Sequence, residues 1–147
     1  MSAESVPAPR VSTPLGFAGQ AFAEMIGHAY AGYPLEACGL LVGNGSTVHR
    51  FVPCTNAAES ARIYSIPPKE LLRAERNAED DGMAIVGVFH SHTHSEPYPS
   101  PTDVAQAPDP DWYYVIVSLK REAPETRAYR IVGAEMTDIH DVPVAVG

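Results

Sequence analysis

The chain has 147 residues, the size of one ordinary domain, enough to bury roughly two thirds of the surface its unfolded form exposes. Ten Lys and Arg against 18 Asp and Glu give a formal charge of −8, which argues against a nucleic-acid backbone or an anionic membrane surface as partner. Two cysteines are too few for a secreted disulfide framework and no apolar run nears the about 20 residues of a membrane helix, so the chain is expected to be cytoplasmic.

Residues 1–14 are rich in Ser, Ala and Pro without apolar periodicity, which predicts a disordered N-terminal tail ahead of one domain over 15–147. From Leu15 to Tyr33 the apolar positions Ala18, Ala21, Phe22, Met25, Ile26, Ala29 and Tyr30 recur at three and four, one face of a helix closed by Gly32 and Pro34. Glu36 to Gly43 and Val48 to Pro53 predict two strands joined by a hairpin turn at Asn44-Gly45. In that arrangement Cys38 and Cys54 could meet across neighbouring strands. A third short strand is expected over Arg62 to Ile66. Pro67 and Pro68 then open a helix that ends near Asp80, with Gly82 as its left-handed stop. Met83 to Phe89 is almost wholly apolar and predicts a central strand buried on both faces. Tyr113 to Leu119 and Thr126 to Val132 close the sheet. The order of elements predicts an α/β domain with a mixed, mainly antiparallel sheet flanked by helices.

The central strand leads into Phe89-His90-Ser91-His92-Thr93-His94. In extended backbone, residues two apart point to the same side, roughly 6 to 7 Å apart at Cα, so two imidazoles can converge on one metal. Zinc in catalytic sites takes three protein ligands and leaves one position for water. Asp103 is the best third candidate. Ser100-Pro101-Thr102-Asp103 reads as a helix start, and the seven residues between His92 and Ser100 are enough to fold that helix end back over the histidines. Each piece has a plainer explanation. A lone His-x-His pair is as consistent with hydrogen-bonded structural residues, Ser-x-x-Asp is commonly only a capping box, and Glu36 by itself is an exposed acid at a strand start. Ser91 is expected to face away from the ligands as a hydrogen-bonded residue. His94 continues the alternation and could compete as a ligand.

Taken together, His90-Ser91-His92, seven residues, Ser100, two residues and Asp103, with the upstream glutamate of Glu36-Ala37-Cys38-Gly39-Leu40-Leu41, resemble the complete JAMM signature of the MPN+ zinc metalloproteases. The resemblance extends from the first helix through the closing strands. It implies an MPN (cytidine-deaminase-like) domain with one Zn2+ per chain held by His90, His92 and Asp103, Glu36 as general base and Ser100 as oxyanion donor. The family pattern does not use His94, and many members carry proline where this chain has Thr93.

Tyr33 to Gly39, His90 to Val104 and Ala128 to Val132 are further similar to the bacterial members that free cysteine from a sulfur-carrier adduct. That likeness implies hydrolysis of a peptide or isopeptide bond at the C-terminus of a ubiquitin-like sulfur carrier with a Gly-Gly tail. The tail is expected to add as a strand near Glu36 to Leu41 or after Arg62. Alternatives from other classes are a deubiquitinase-like isopeptidase of other conjugates, a metal-free MPN scaffold, and a non-haem iron enzyme, since two His and one carboxylate also suit Fe(II). A zinc deaminase is excluded because Pro53-Cys54 lacks the second cysteine of Pro-Cys-x-x-Cys.

Overall fold

The computed structural model describes residues 13–132 and 138–147. The tail predicted over 1–14 therefore lies, for residues 1–12, outside the described residues. Leu15 and Phe17 point inward and Gly16 between them does not, so the first element among the described residues is a short strand, β1 (Leu15–Phe17), where a helix was expected. Helix α1 (Gly19–Gly32) starts four residues later than its periodicity suggested, because Leu15 and Phe17 satisfy a period of two as well as the helical one. It buries Ala21, Met25 and Ala29.

Strands β2 (Cys38–Asn44) and β3 (Thr47–Cys54) form the expected hairpin, with Gly45 at φ 58° making its turn. Cys38 stands directly opposite Cys54 in that ladder, and both are free thiols. The strand expected over Arg62 to Ile66 does not form. Its backbone groups are claimed locally: the Asn56 side chain donates to the Ile63 carbonyl and accepts from the Ser65 amide, and the Ala57 amide donates to the Ser65 carbonyl. Helix α2 (Pro68–Asp80) opens on proline and stops before Gly82 at φ 72°, as its punctuation requires. It buries only Ala74 and Ala78, leaving a polar outer face.

Strand β4 (Ala84–His92) runs through both histidines, and helix α3 (Pro101–Ala105), β5 (Tyr113–Ser118) and β6 (Glu125–Val132) follow. Two further strands, β7 (Asp138–Val142) and β8 (Val144–Val146), had no clear sequence signal because each is short and β7 carries three polar residues in five. The eight strands among the described residues form one sheet in the order β7-β6-β5-β4-β2-β3-β1-β8. It is mixed: β2 pairs antiparallel with β3 and β4, and β6 with β5 and β7, while β4–β5, β1–β3 and β1–β8 are parallel.

Two consequences of this topology bear on function. First, β2 is bonded on both sides, so the expected strand addition near Glu36 to Leu41 has no free edge over Cys38 to Leu41 to use. Second, β7 and β8 lie at opposite ends of the order yet are separated only by Pro143, so the sheet curls until one segment spans both its ends. Alternate residues fill two cores. Leu41, Phe51 and Phe89 pack with Met25 of α1 on one face, and Leu40, Val88 and Ile116 with Ala74 of α2 on the other. No helix among the described residues is long and apolar enough to cross a membrane.

Candidate active site

The site forms where the parallel pair β4–β5 ends, at the carboxyl end of its strands, the position at which α/β sheets commonly bind ligands. His90 and His92 are the antepenultimate and last residues of β4, both buried, and alternation along the strand places them on one side. Ser91 between them faces the other way, accepting a hydrogen bond from the Ala37 amide at 2.8 Å, while its own amide donates to the Ala37 carbonyl at 2.9 Å. Cys38 pairs with His90, so continuing this antiparallel register by two residues sets Glu36 across from His92. Taken by itself Glu36 reads as an exposed acid at a strand start, but the structure leaves it only 4% exposed.

Asp103 arrives from the opposite direction on the first turn of α3. Ser100 is the N-cap: its Oγ accepts from the Asp103 amide at 3.0 Å, and Asp103 Oδ2 accepts from the Ser100 amide at 2.8 Å. This capping box fixes the carboxylate so that the same Oδ2 lies 3.1 Å from His90 Nε2 and 3.1 Å from His92 Nε2. The two Nε2 atoms are themselves 3.1 Å apart. The capping reading and the ligand reading of Ser100 and Asp103 are thus compatible, since one box serves both.

The donor set fits a small tetrahedral cation. Ligands about 2.0 Å from a tetrahedral zinc stand about 3.3 Å from one another, close to the 3.1 Å sides of this triangle. His92 Nδ1 donates to the Glu96 carbonyl at 2.7 Å, so in the neutral ring Nε2 presents a lone pair to the Asp103 carboxylate. A cation among the three atoms relieves that repulsion. Burial holds His90 below its usual range, burial of His92 is outweighed by its Asp103 and Glu96 contacts so that it rises, and burial of Asp103 is outweighed by its histidine and Ser100 contacts, keeping the carboxyl well below the usual carboxylate range.

Glu36 Oε1 and His90 Nδ1 are buried without a hydrogen-bond partner among the described residues. Burial pushes the Glu36 carboxyl up to about 8, with His92 opposing and Asp103 adding to the effect. Glu36, His92 and Ser100 line a cleft of about 540 Å³ together with Arg62 and His94. Ser100 Oγ has no acceptor for its hydrogen among the described residues. His94 does not join the cluster; it contacts the Tyr33 hydroxyl at 3.2 Å and the Thr93 hydroxyl at 3.0 Å.

Three supporting residues escaped sequence reasoning. Tyr64 stacks on His90 with ring centroids 4.5 Å apart, Asn56 ties the Glu36 carbonyl to the following loop, and Glu96 holds His92 through its main chain. None stands at a spacing that marks it, because each acts through a loop whose path depends on the rest of the fold.

Fold and site together define an α/β domain whose central strand and a capped helix converge in a His-His-Asp cluster able to hold a metal ion. Residues 19–132 match the prokaryotic homologs of the JAB domain, and the chain belongs to that family. It is 41% identical over 117 residues to the CysO-cysteine peptidase of Mycobacterium tuberculosis, covering 78% of this chain and 80% of that protein. A solution structure of a Desulfitobacterium hafniense protein is 30% identical with a TM-score of 0.78, over 90% of this chain and 92% of the other. The crystal structure of a JAB1/MPN domain protein from Archaeoglobus fulgidus shares the fold at 17% identity and a TM-score of 0.58, over 92% of this chain and 99% of the other.

Proposed function

We propose that this chain is a zinc-dependent peptidase that removes a single amino acid, such as cysteine, from the Gly-Gly tail of a ubiquitin-like sulfur carrier in the cytoplasm. The observation that carries the reading is the 3.1 Å triangle of His90, His92 and Asp103 beside a buried Glu36 carboxyl whose Oε1 has no hydrogen-bond partner among the described residues. The substrate class rests on the relative, which is named for cleaving a CysO-cysteine bond. His90, His92 and Asp103 would hold one zinc ion per chain. Zinc supplies Lewis acidity there, polarising a carbonyl and making water a competent nucleophile near neutral pH.

The protein's own groups then divide the proton work. Glu36, across from His92, takes a proton from the attacking water and hands it to the leaving nitrogen as the C–N bond breaks and the water oxygen bonds to the carbonyl carbon. Ser100 keeps its cap by accepting from the Asp103 amide and uses its free hydrogen to stabilise the oxyanion. Ser91 ties the ligand strand to the strand of the base.

The test pairs metal content of the purified protein with hydrolysis of a sulfur carrier extended by one residue, with and without chelator. Release of that residue, abolished by chelator and restored by zinc, is the expected result. Stoichiometric zinc without release would remove the carrier from the proposal, and absence of metal would favour a scaffold.

A further inference from the structure

We propose that Arg62 binds the free α-carboxylate of the residue being released, and so restricts this cleft to the last residue of a tail. This rests on the peptidase reading above and deepens it, since it assigns the selectivity of that site to a residue outside the JAMM pattern.

Arg62 is the one Lys or Arg among the residues lining the cleft, in a chain whose net charge is −8. Its guanidinium makes no hydrogen bond or ion pair with any described residue. Arg50 is engaged with Asp81, Arg121 with Glu96 and Glu125, and Arg130 with the Asp111 carbonyl, while Arg73, Arg76 and Arg127, like Arg62 without such a contact among the described residues, do not line this cleft. The backbone that carries Arg62 is nonetheless pinned. Ser60 Oγ accepts from the Arg62 amide at 3.0 Å, the Glu36 amide donates to the Ser60 carbonyl at 2.8 Å, and Thr93 Oγ1 donates to the Ala61 carbonyl at 3.3 Å. An unspent cation is therefore held on a loop fastened both to the general base and to the residue following the ligand strand.

The chemistry says which side of the scissile bond that loop faces. Glu36 delivers a proton to the leaving nitrogen, so the departing residue lies on the Glu36 side. The carboxyl carbon of a departing C-terminal residue is two bonds from that nitrogen, about 2.5 Å away. A guanidinium matches a carboxylate through paired N–H···O bonds. An internal peptide bond offers a neutral amide at that point, and a lysine branch offers a methylene chain, so neither gains the contact.

The experiment uses one carrier extended by a single cysteine, made by semisynthesis as the free acid and as the carboxamide, with zinc-loaded wild type, Arg62→Ala and Arg62→Lys. Wild type should favour the acid by about tenfold or more in kcat/KM, the scale of one charge-assisted contact at an exposed site. Arg62→Ala should lose that preference, chiefly through KM, with turnover of the carboxamide and zinc content unchanged, and Arg62→Lys should fall between. A wild-type enzyme indifferent to the carboxylate, or an Arg62→Ala variant that keeps the preference, overturns the proposal. If wild type cleaves neither form, the reaction reading has failed, and Arg62 is judged by calorimetric binding of the two tails to Glu36→Gln with and without Arg62→Ala. Tighter binding of the acid only when Arg62 is present supports the assignment, and equal binding of both forms refutes it.

Discussion

A carboxyl group enclosed by protein and lacking a hydrogen-bond partner ionises at a cost, and Glu36 meets that cost in the metal-free protein. Its folded pKa of about 8 lies above the ordinary 4.5, so the folded state holds a proton that the unfolded chain releases. The Glu36 contribution to stability is therefore full below about pH 4.5 and is lost as pH rises through about 8. Glu36→Gln should abolish this dependence, gaining a few kcal/mol over metal-free wild type at pH 8.5 and almost nothing at pH 4.5, as read from urea midpoints. The same variant should bind zinc and turn over no substrate; retained activity would remove Glu36 from the mechanism. Ser100→Ala separates the two tasks of that residue. Loss of the cap should cost about 1 kcal/mol in stability, and loss of the oxyanion donor should lower kcat by about 10²- to 10³-fold. A fall in stability alone would reduce Ser100 to its cap.

At the scale of elements, the loop between β3 and α2 carries more of the site than its sequence suggests. Asn56 donates to the carbonyls of Glu36, Ser60 and Ile63 and accepts from the amides of Ala58 and Ser65. Asn56→Ala should destabilise the protein by about 2 to 3 kcal/mol by stranding these groups. Asn56→Asp should be no milder, since a carboxylate accepts where an amide donated to three carbonyls. Equal stability of either variant with wild type would contradict this account of the loop. Segments with a strong period were legible in advance: α2, the hairpin, β4 and the two strands after it all stand where their apolar spacing and Gly or Pro punctuation put them. The Arg62 to Ile66 segment was misjudged because alternation cannot reveal that a side chain eight residues from its centre will take the place of a neighbouring strand. β1 was absorbed into the helix after it for the related reason that three residues satisfy either period.

For the whole molecule, the His-His-Asp cluster joins β4 to α3 across eight intervening residues, and Glu36, the proposed base, comes from before β2. That His90, His92 and Asp103 would come together was legible because their types and spacing survive in the linear order. Their burial and the supporting contacts of Asn56 and Tyr64 were not, since those depend on register across distant strands. A cation bound by the folded chain alone stabilises it by mass action, about 4 kcal/mol at a thousandfold excess over Kd. Chelation should lower the thermal midpoint of wild type and leave that of His92→Ala unmoved; an equal response from both would place the metal elsewhere.

The continuous run from β7 through Pro143 to β8 gives the molecule a clasp. A sheet ordinarily frays from each border independently, but here one short segment covers β6 on one side and β1 on the other. Releasing residues 138–147 would bare both borders in a single event, and each could then recruit a strand from a second molecule. The cover of both sheet borders thus hangs on residues 138–147, none of which lines the cleft beside Glu36.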